Sequence, residues 1–410
     1  MWGITGSGTN VIKSVARWNG ATWNSIGTGT LKVGPKCMRE FNGDLIVGGA
    51  FSAQGTIPNT RGIARWDGNQ WHSLGSGITS GTLHAMAVYN GSLYVGGNTT
   101  SIDSMTIRDI ARWDGTNWYP VCTLSLGLSE VYALEVFNNE LYVGGYFYTV
   151  NGVSIPNIAK FDGTSWSAVG GGLNGDVVDL YADTTNNRLY AVGSFSFANG
   201  GTLPCPSNVA FWDGNIWNAV GPNGPSLVPS EVYVHKNEVY IGNNIGYCFN
   251  SNGDTLSGIA KWDGNDWMPL GRGTYIQDTL CGAIYALLSY NNDLAIGGGF
   301  TTVGDTTANL IAAWGDTVTS LPSQEELSNE IKIFPNPFNN STHISLSENH
   351  KGKLPLIFQL YQMDGKVVYE TKVTSMEFEI QKRNISSGTF TYCIFNQNKQ
   401  KLACGRLVME

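Results

Sequence analysis

The chain has 410 residues, 24 basic and 32 acidic, for a net charge of −8, and it is rich in glycine (52) and tryptophan (13). An acidic balance argues against nucleic acid as a partner. No apolar run of about 20 residues is present, so no membrane span is predicted.

Residues 1–10 match the loop that follows a glycine doublet later in the chain, and they contain no basic, apolar and cleavable stretch. The expectation is a chain that starts inside a repeat, with its N-terminus lost and no signal peptide in it.

From residue 11 one motif recurs: Trp18-Asn19-Gly20…Trp23, Trp66-Asp67-Gly68…Trp71, Trp113-Asp114-Gly115…Trp118, Phe161-Asp162-Gly163…Trp166, Trp212-Asp213-Gly214…Trp217 and Trp262-Asp263-Gly264…Trp267. A worn seventh copy is Trp314-Gly315-Asp316. The first aromatics lie 48, 47, 48, 51, 50 and 52 residues apart, and the motif holds 12 of the 13 tryptophans. A period near 50 that carries the large aromatics marks a repeat architecture.

Asp-Gly between two apolar runs predicts a hairpin, since glycine tolerates positive φ and aspartate bonds its own backbone. A second hairpin precedes it in each unit, turning at Asn42-Gly43, Asn90-Gly91 and Asn138-Asn139. Two hairpins give four strands per repeat, and no segment holds a helical apolar period, so the chain is predicted all-β. One four-stranded sheet cannot cover both faces. Sheets set radially cover one another, with the paired aromatics filling the wedge, which is a β-propeller. Seven outer hairpins against six inner ones favour seven blades, the first incomplete. Six blades closed by residues 11–29 is the alternative.

These units resemble the kelch-type propeller, in which a glycine doublet closes the second strand and two aromatics flank the third and fourth. The doublets are Gly48-Gly49, Gly96-Gly97, Gly144-Gly145 and Gly297-Gly298, with worn copies at Gly193-Ser194 and Gly242-Asn243. The aromatic spacing is tighter than the usual kelch pattern, so the likeness is kelch-like. It implies a fold over residues 1–321, not a function.

Residues 322–330 read as a polar linker to a second domain at 331–410. Residues 1–330 hold 14 basic and 26 acidic residues, a balance of −12, whereas 331–410 hold 10 and 6, a balance of +4. Six or seven short alternating strands in the second domain predict a small Ig-like β-sandwich.

The second domain closely resembles the type A C-terminal sorting domain of the type IX secretion system. The matching residues are Phe334-Pro335-Asn336-Pro337, the Gly365-Lys366 pair after Leu360-Tyr361, then Gly388 with Phe390, and Arg406-Leu407-Val408. The resemblance implies a Bacteroidetes-type outer-membrane export route through the periplasm, partnership with the secretion machinery, and removal of the domain by a surface peptidase. It places the protein outside the cell, secreted or on the surface.

None of the seven cysteines forms a C-x-x-C pair, so a zinc or redox motif is not expected. Cys393 and Cys404 face each other if the last turn centres on Asn398-Lys399, which would allow a disulfide; Cys205 and Cys248 are a weaker pair, and buried thiols are the alternative. No cofactor is expected. The acidic loops are compatible with calcium, but the Asp67, Asp114, Asp162, Asp213 and Asp263 series is better explained by turns.

Three function classes remain. Varied loops on a constant scaffold, such as 50–55 against 197–204, suit recognition of an extracellular glycan or protein. Catalysis is the lesser expectation. The five histidines, His72, His84, His235, His343 and His350, share no spacing that would build a copper site. A glycosidase needs two carboxylates on inner strands, and Glu40, Glu135, Asp179 and Glu231 lie on or near first strands at differing offsets from the doublet. A structural repeat within a longer secreted protein is the third option. No catalytic residue is assigned.

Overall fold

In the computed structural model the described residues are 2–3, 15–20, 22–26, 34–51, 60–99, 101–103, 105–107, 109–125, 129–221, 228–249, 255–276, 280–304, 306–308, 310–315, 331–334, 336, 338–346, 354–361, 367–382, 388–396 and 401–409. They are organised as antiparallel sheets. One compact unit holds Trp2–Arg17 and Ser25–Ser320; the other holds Met1, Trp18–Asn24 and Leu321–Glu410.

Among the described residues of the first unit, six larger sheets follow one another along the chain, with small hairpins between their strands. Sheet one is Pro35–Phe41, Asp44–Gly49, Ile63–Trp66 and Trp71–His72. Sheet two is Leu83–Tyr89, Ser92–Gly97, Ile110–Trp113 and Trp118–Pro120, and sheet three is Glu130–Phe137, Glu140–Tyr146, Ile158–Phe161 and Trp166–Ala168. Sheet four is Val177–Asp183, Arg188–Gly193, Val209–Trp212 and Trp217–Ala219; sheet five is Pro229–His235, Glu238–Phe249, Thr255–Trp262 and Trp267–Pro269. Sheet six is Ala283–Tyr290, Asp293–Gly299 and Ile311–Trp314. The first strand of each sheet packs against the first strand of the next.

The motif aspartates close the outer hairpins. Asp67 Oδ1 accepts from the amides of Asn69 and Gln70 at 2.8 and 2.7 Å, and Gly68 takes φ +96°. Asp114, Asp162, Asp213 and Asp263 repeat the pattern. These amides hold the carboxylates below the usual range.

Of the second aromatics, Trp71, Trp118, Trp217 and Trp267 are buried, while Trp23 and Trp166 are half-buried. Of the first aromatics, Trp66, Phe161 and Trp212 are buried, and Trp18, Trp113, Trp262 and Trp314 are half-buried. Trp71, Trp118 and Trp217 donate their indole N–H to carbonyls of the preceding repeat, Ile26, Leu74 and Val169.

The doublets have two separate reasons. A Cβ on the first glycine would lie 2.3–2.6 Å from the next sheet's first strand: Met86 for Gly48, Val131 for Gly96, Val177 for Gly144 and Ile284 for Gly242. A Cβ on the second would strike the same sheet's own bulged first strand, at 1.9 Å from Thr82 O for Gly97 and from Asp176 O for Gly193. Gly193 therefore occupies the second doublet position, opposite Val177 as Gly97 is opposite Leu83. The worn doublet of sheet four is Val192-Gly193, not Gly193-Ser194 as the sequence alone suggested.

Residues 331–410 form two antiparallel sheets around one core. One is Ile331–Phe334, Ser341–Leu346 and Glu377–Gln381; the other is Val367–Val373, Leu356–Tyr361, Gly388–Phe395 and Lys401–Met409. Phe338, Ile344, Phe358, Ile380, Phe390 and Leu407 share that core.

Candidate functional site

Counted back from its last residue, each first strand places equivalent side chains on one face, because alternation has period two. Two places back stand Arg39, Ala87, Glu135, Tyr181, Tyr233 and Leu288; four back stand Cys37, Ala85, Ala133, Asp179, Glu231 and Ala286. Sheets three to five thus present three carboxylates and two tyrosines on one side.

Asp179 Oδ2 accepts from the amide of Val232 at 2.9 Å, which ties sheet four to sheet five. The rings of Tyr181 and Tyr233 are 4.6 Å apart, and Tyr233 Oη accepts from the Ser289 amide at 3.0 Å. Arg39 Nη2 stands 3.9 Å from Glu135 Oε2 while its guanidinium donates to Met86 O at 3.2 and 3.0 Å. Arg39 belongs to sheet one and Glu135 to sheet three, so the arginine reaches across sheet two, whose Met86 carbonyl it bonds on the way.

Burial pushes the Glu135 carboxyl up to about 7, with Arg39 opposing and Asp179 adding to the rise. Burial also lifts Asp179 to about 6. Glu231 is raised well above the usual range, by burial first and then by Asp179. Yet all three keep accessible surface, and the Glu135 side chain is 26% exposed. The three carboxylates are thus partly desolvated without being sealed from water. Neighbouring carboxylates with separated proton affinities are the equipment of acid–base chemistry.

Glu40 is exposed and does not join this face. The histidines are scattered: His72 contacts Asp67 Oδ2 at 2.6 Å, His84 contacts Glu130, His235 contacts Ser289 Oγ, and His343 is exposed. Among the described residues no group of three or more His, Cys, Asp or Glu side chains is arranged to hold a metal ion. His350, the loop at 52–55, the linker at 322–330 and Asp316 lie outside the described residues.

Counting from the glycine doublet hid the site. The turn between Asp183 and Arg188 is two residues longer than that between His235 and Glu238, which shifts Asp179 relative to Glu231. Counting from strand ends would have aligned them.

Of the sorting residues, Phe334 is 79% exposed and Phe390 is buried; Gly388 takes φ +151°, and Asn336 is exposed. Pro335, Pro337, Gly365 and Lys366 lie outside the described residues. Cys393 is held in a disulfide, and the residue opposite it in register is Cys404. Cys37, Cys122, Cys205 and Cys281 are free thiols.

Residues 332–409 match the family model of the secretion system C-terminal sorting domain. The sorting domain marks the chain for type IX secretion to the cell surface and implies contact with that machinery. No helix among the described residues is long and apolar enough to cross a membrane. No curated protein matches the chain. Among solved structures it is similar to PorZ, a bacterial surface component of the type IX secretion system of Porphyromonas gingivalis, at 13% identity and TM-score 0.40, covering 97% of this chain and 62% of that one. The extracellular domain of the hybrid two-component system BT4673 from B. thetaiotaomicron aligns at 10% identity and TM-score 0.41, over 94% of this chain and 57% of that one. A copper-bound fungal alcohol oxidase of the AA5 family aligns at 14% identity and TM-score 0.37, over 90% and 83%. This chain thus spans less than two thirds of the length of the first two, and at these scores the alignments carry no argument about fold or activity.

Proposed function

We propose that the chain is a surface-displayed recognition module. Its repeats form a kelch-like β-propeller, delivered by the C-terminal sorting domain, which a surface peptidase then removes. The match of residues 332–409 carries this proposal, because it puts the repeats outside the cell. Three features support the ring: first strands packed in series, indole bonds from one repeat to the last, and Arg39 meeting a residue two sheets away. Side chains that far apart in order meet when strands curve about a common axis. Seven blades, the first incomplete, agree best with seven outer motifs. Between second and third strands the units carry small hairpins of differing sequence, such as Thr149–Val150 with Val153–Ser154 and Phe197–Ala198 with Leu203–Pro204. These are the surfaces that would meet an extracellular glycan or protein. Full-length protein applied to glycan and surface-protein arrays should capture a discrete partner; retention of none would reject the role.

One observation favours a second role, a carbohydrate-active enzyme: Glu135, Asp179 and Glu231 converge with raised proton affinities. Turnover of chromogenic glycosides, abolished by Glu231→Gln, would put the enzyme first.

A further inference from the structure

At the start of the first strands of sheets two to four lies a second cluster: His84, Glu130, Tyr132, Tyr146, Tyr148 and Asp176. Tyr148 is 56% exposed, yet it is fixed. Its amide and that of Thr149 both donate to Ser125 Oγ, at 2.6 and 3.0 Å. Its ring stands edge-on to Tyr146, with centroids 5.4 Å apart and hydroxyls 3.0 Å apart. Tyr132 donates to Glu130 Oε2 at 3.0 Å and packs edge-on against His84 at 6.0 Å.

Two carboxylates sit among these rings. Glu130 Oε1 is 2.7 Å from His84 Nε2, but burial, then Lys36, hold the imidazole below its ordinary range. Asp176 is half-buried, raised by burial, and its carboxylate is bonded by its own backbone amide. Its position is set by Ser194, whose Oγ accepts the Asp176 amide at 3.1 Å and whose amide donates to Asp176 O at 2.9 Å. Asp176 acts on both Tyr132 and Tyr146.

The geometry points to a binding site for a cationic nitrogen, ammonium or guanidinium, on the face built by Tyr132, Tyr146, Tyr148, Glu130 and Asp176, resting on the recognition role proposed above. A rigid exposed ring presents a negative π face, and adjacent carboxylates supply the countercharge. The carboxylates of Glu130 and Asp176 disfavour anions here. The −12 balance of residues 1–330 adds long-range attraction for cations.

The test titrates full-length protein with choline and with its uncharged isostere 3,3-dimethyl-1-butanol, following the heat of binding by calorimetry. A second arm compares the peptide acetyl-Gly-Lys-Gly-amide with its glutamine counterpart. The tighter cation tells whether a small amine or a protein side chain is the source. Cations should bind at least about tenfold more tightly than their neutral partners. Tyr148→Ala and Asp176→Asn should each weaken them about fivefold or more, and added salt should weaken them further. Equal binding of charged and neutral probes, lost in Tyr148→Ala, would overturn the cation assignment while leaving recognition at this face. A partner from the arrays that Tyr148→Ala still binds, with no response to any probe, would overturn the site and leave recognition elsewhere on the protein. No response from any probe or array would overturn both.

Discussion

The indole nitrogen of Trp217 donates a 2.9 Å hydrogen bond to the carbonyl of Val169, which belongs to the preceding repeat. Trp71 and Trp118 make the same bond to Ile26 and Leu74. Each of those carbonyls lies three residues past a second motif aromatic. The bond is therefore a repeat-to-repeat connection, and it explains why tryptophan rather than phenylalanine holds this position: phenylalanine fills space but offers no donor.

Trp217→Phe should destabilise the first unit by about 0.5–1.5 kcal/mol, because the indole bond is lost while the Gly172 amide still donates to Val169 O at 3.0 Å. Trp166 Nε1 is buried with no hydrogen-bond partner among the described residues. Trp166→Phe should therefore cost clearly less. Urea unfolding of the two variants side by side checks the ranking, and equal losses would remove the indole bond as the cause.

Gly96→Ala should be costly, by about 1–3 kcal/mol or more, since its Cβ would fall 2.5 Å from Val131 Cγ1. Gly297→Ala is the matched control. There the nearest described atom is 3.8 Å away. Adding Val131→Ala to Gly96→Ala should recover part of the loss, and thermal unfolding of the double variant measures the coupling.

The interior carboxylates make stability depend on pH. Their folded values are raised, Asp179 to about 6 and Glu135 to about 7, so the folded state holds protons that the unfolded chain has released. Stability on this account is greatest in acid and is lost as pH rises through those values. Between pH 5 and 8 the loss should be on the order of 1–3 kcal/mol. The motif aspartates, whose values are depressed, act in the opposite sense at lower pH. Denaturant melts at pH 5 and 8 should show the decline, and Glu231→Gln with Asp179→Asn should flatten it.

Removing residues 331–410 should block delivery of the repeats to the surface and leave them as a folded species inside a host that carries type IX secretion. Fractionation and surface proteolysis report this directly. Normal surface levels of the truncated chain would contradict the sorting role.

The sequence by itself determined the all-β class, the four-strand unit and the sorting segment, because each is written in local chemistry. Asp-Gly turns specify hairpins through bonds two and three residues away, and the C-terminal pattern is contiguous. It missed the frame of the worn doublet at Val192-Gly193, since bulge register depends on which strand lies opposite. It also saw Glu135, Asp179 and Glu231 as unrelated carboxylates. Only the tertiary structure brought them together, because their first strands, some 45–50 residues apart in the chain, pack side by side. The tyrosine and carboxylate face at Tyr148 escaped for the same reason: its members come from two strands and two loops, and no spacing along the chain records contacts made across them.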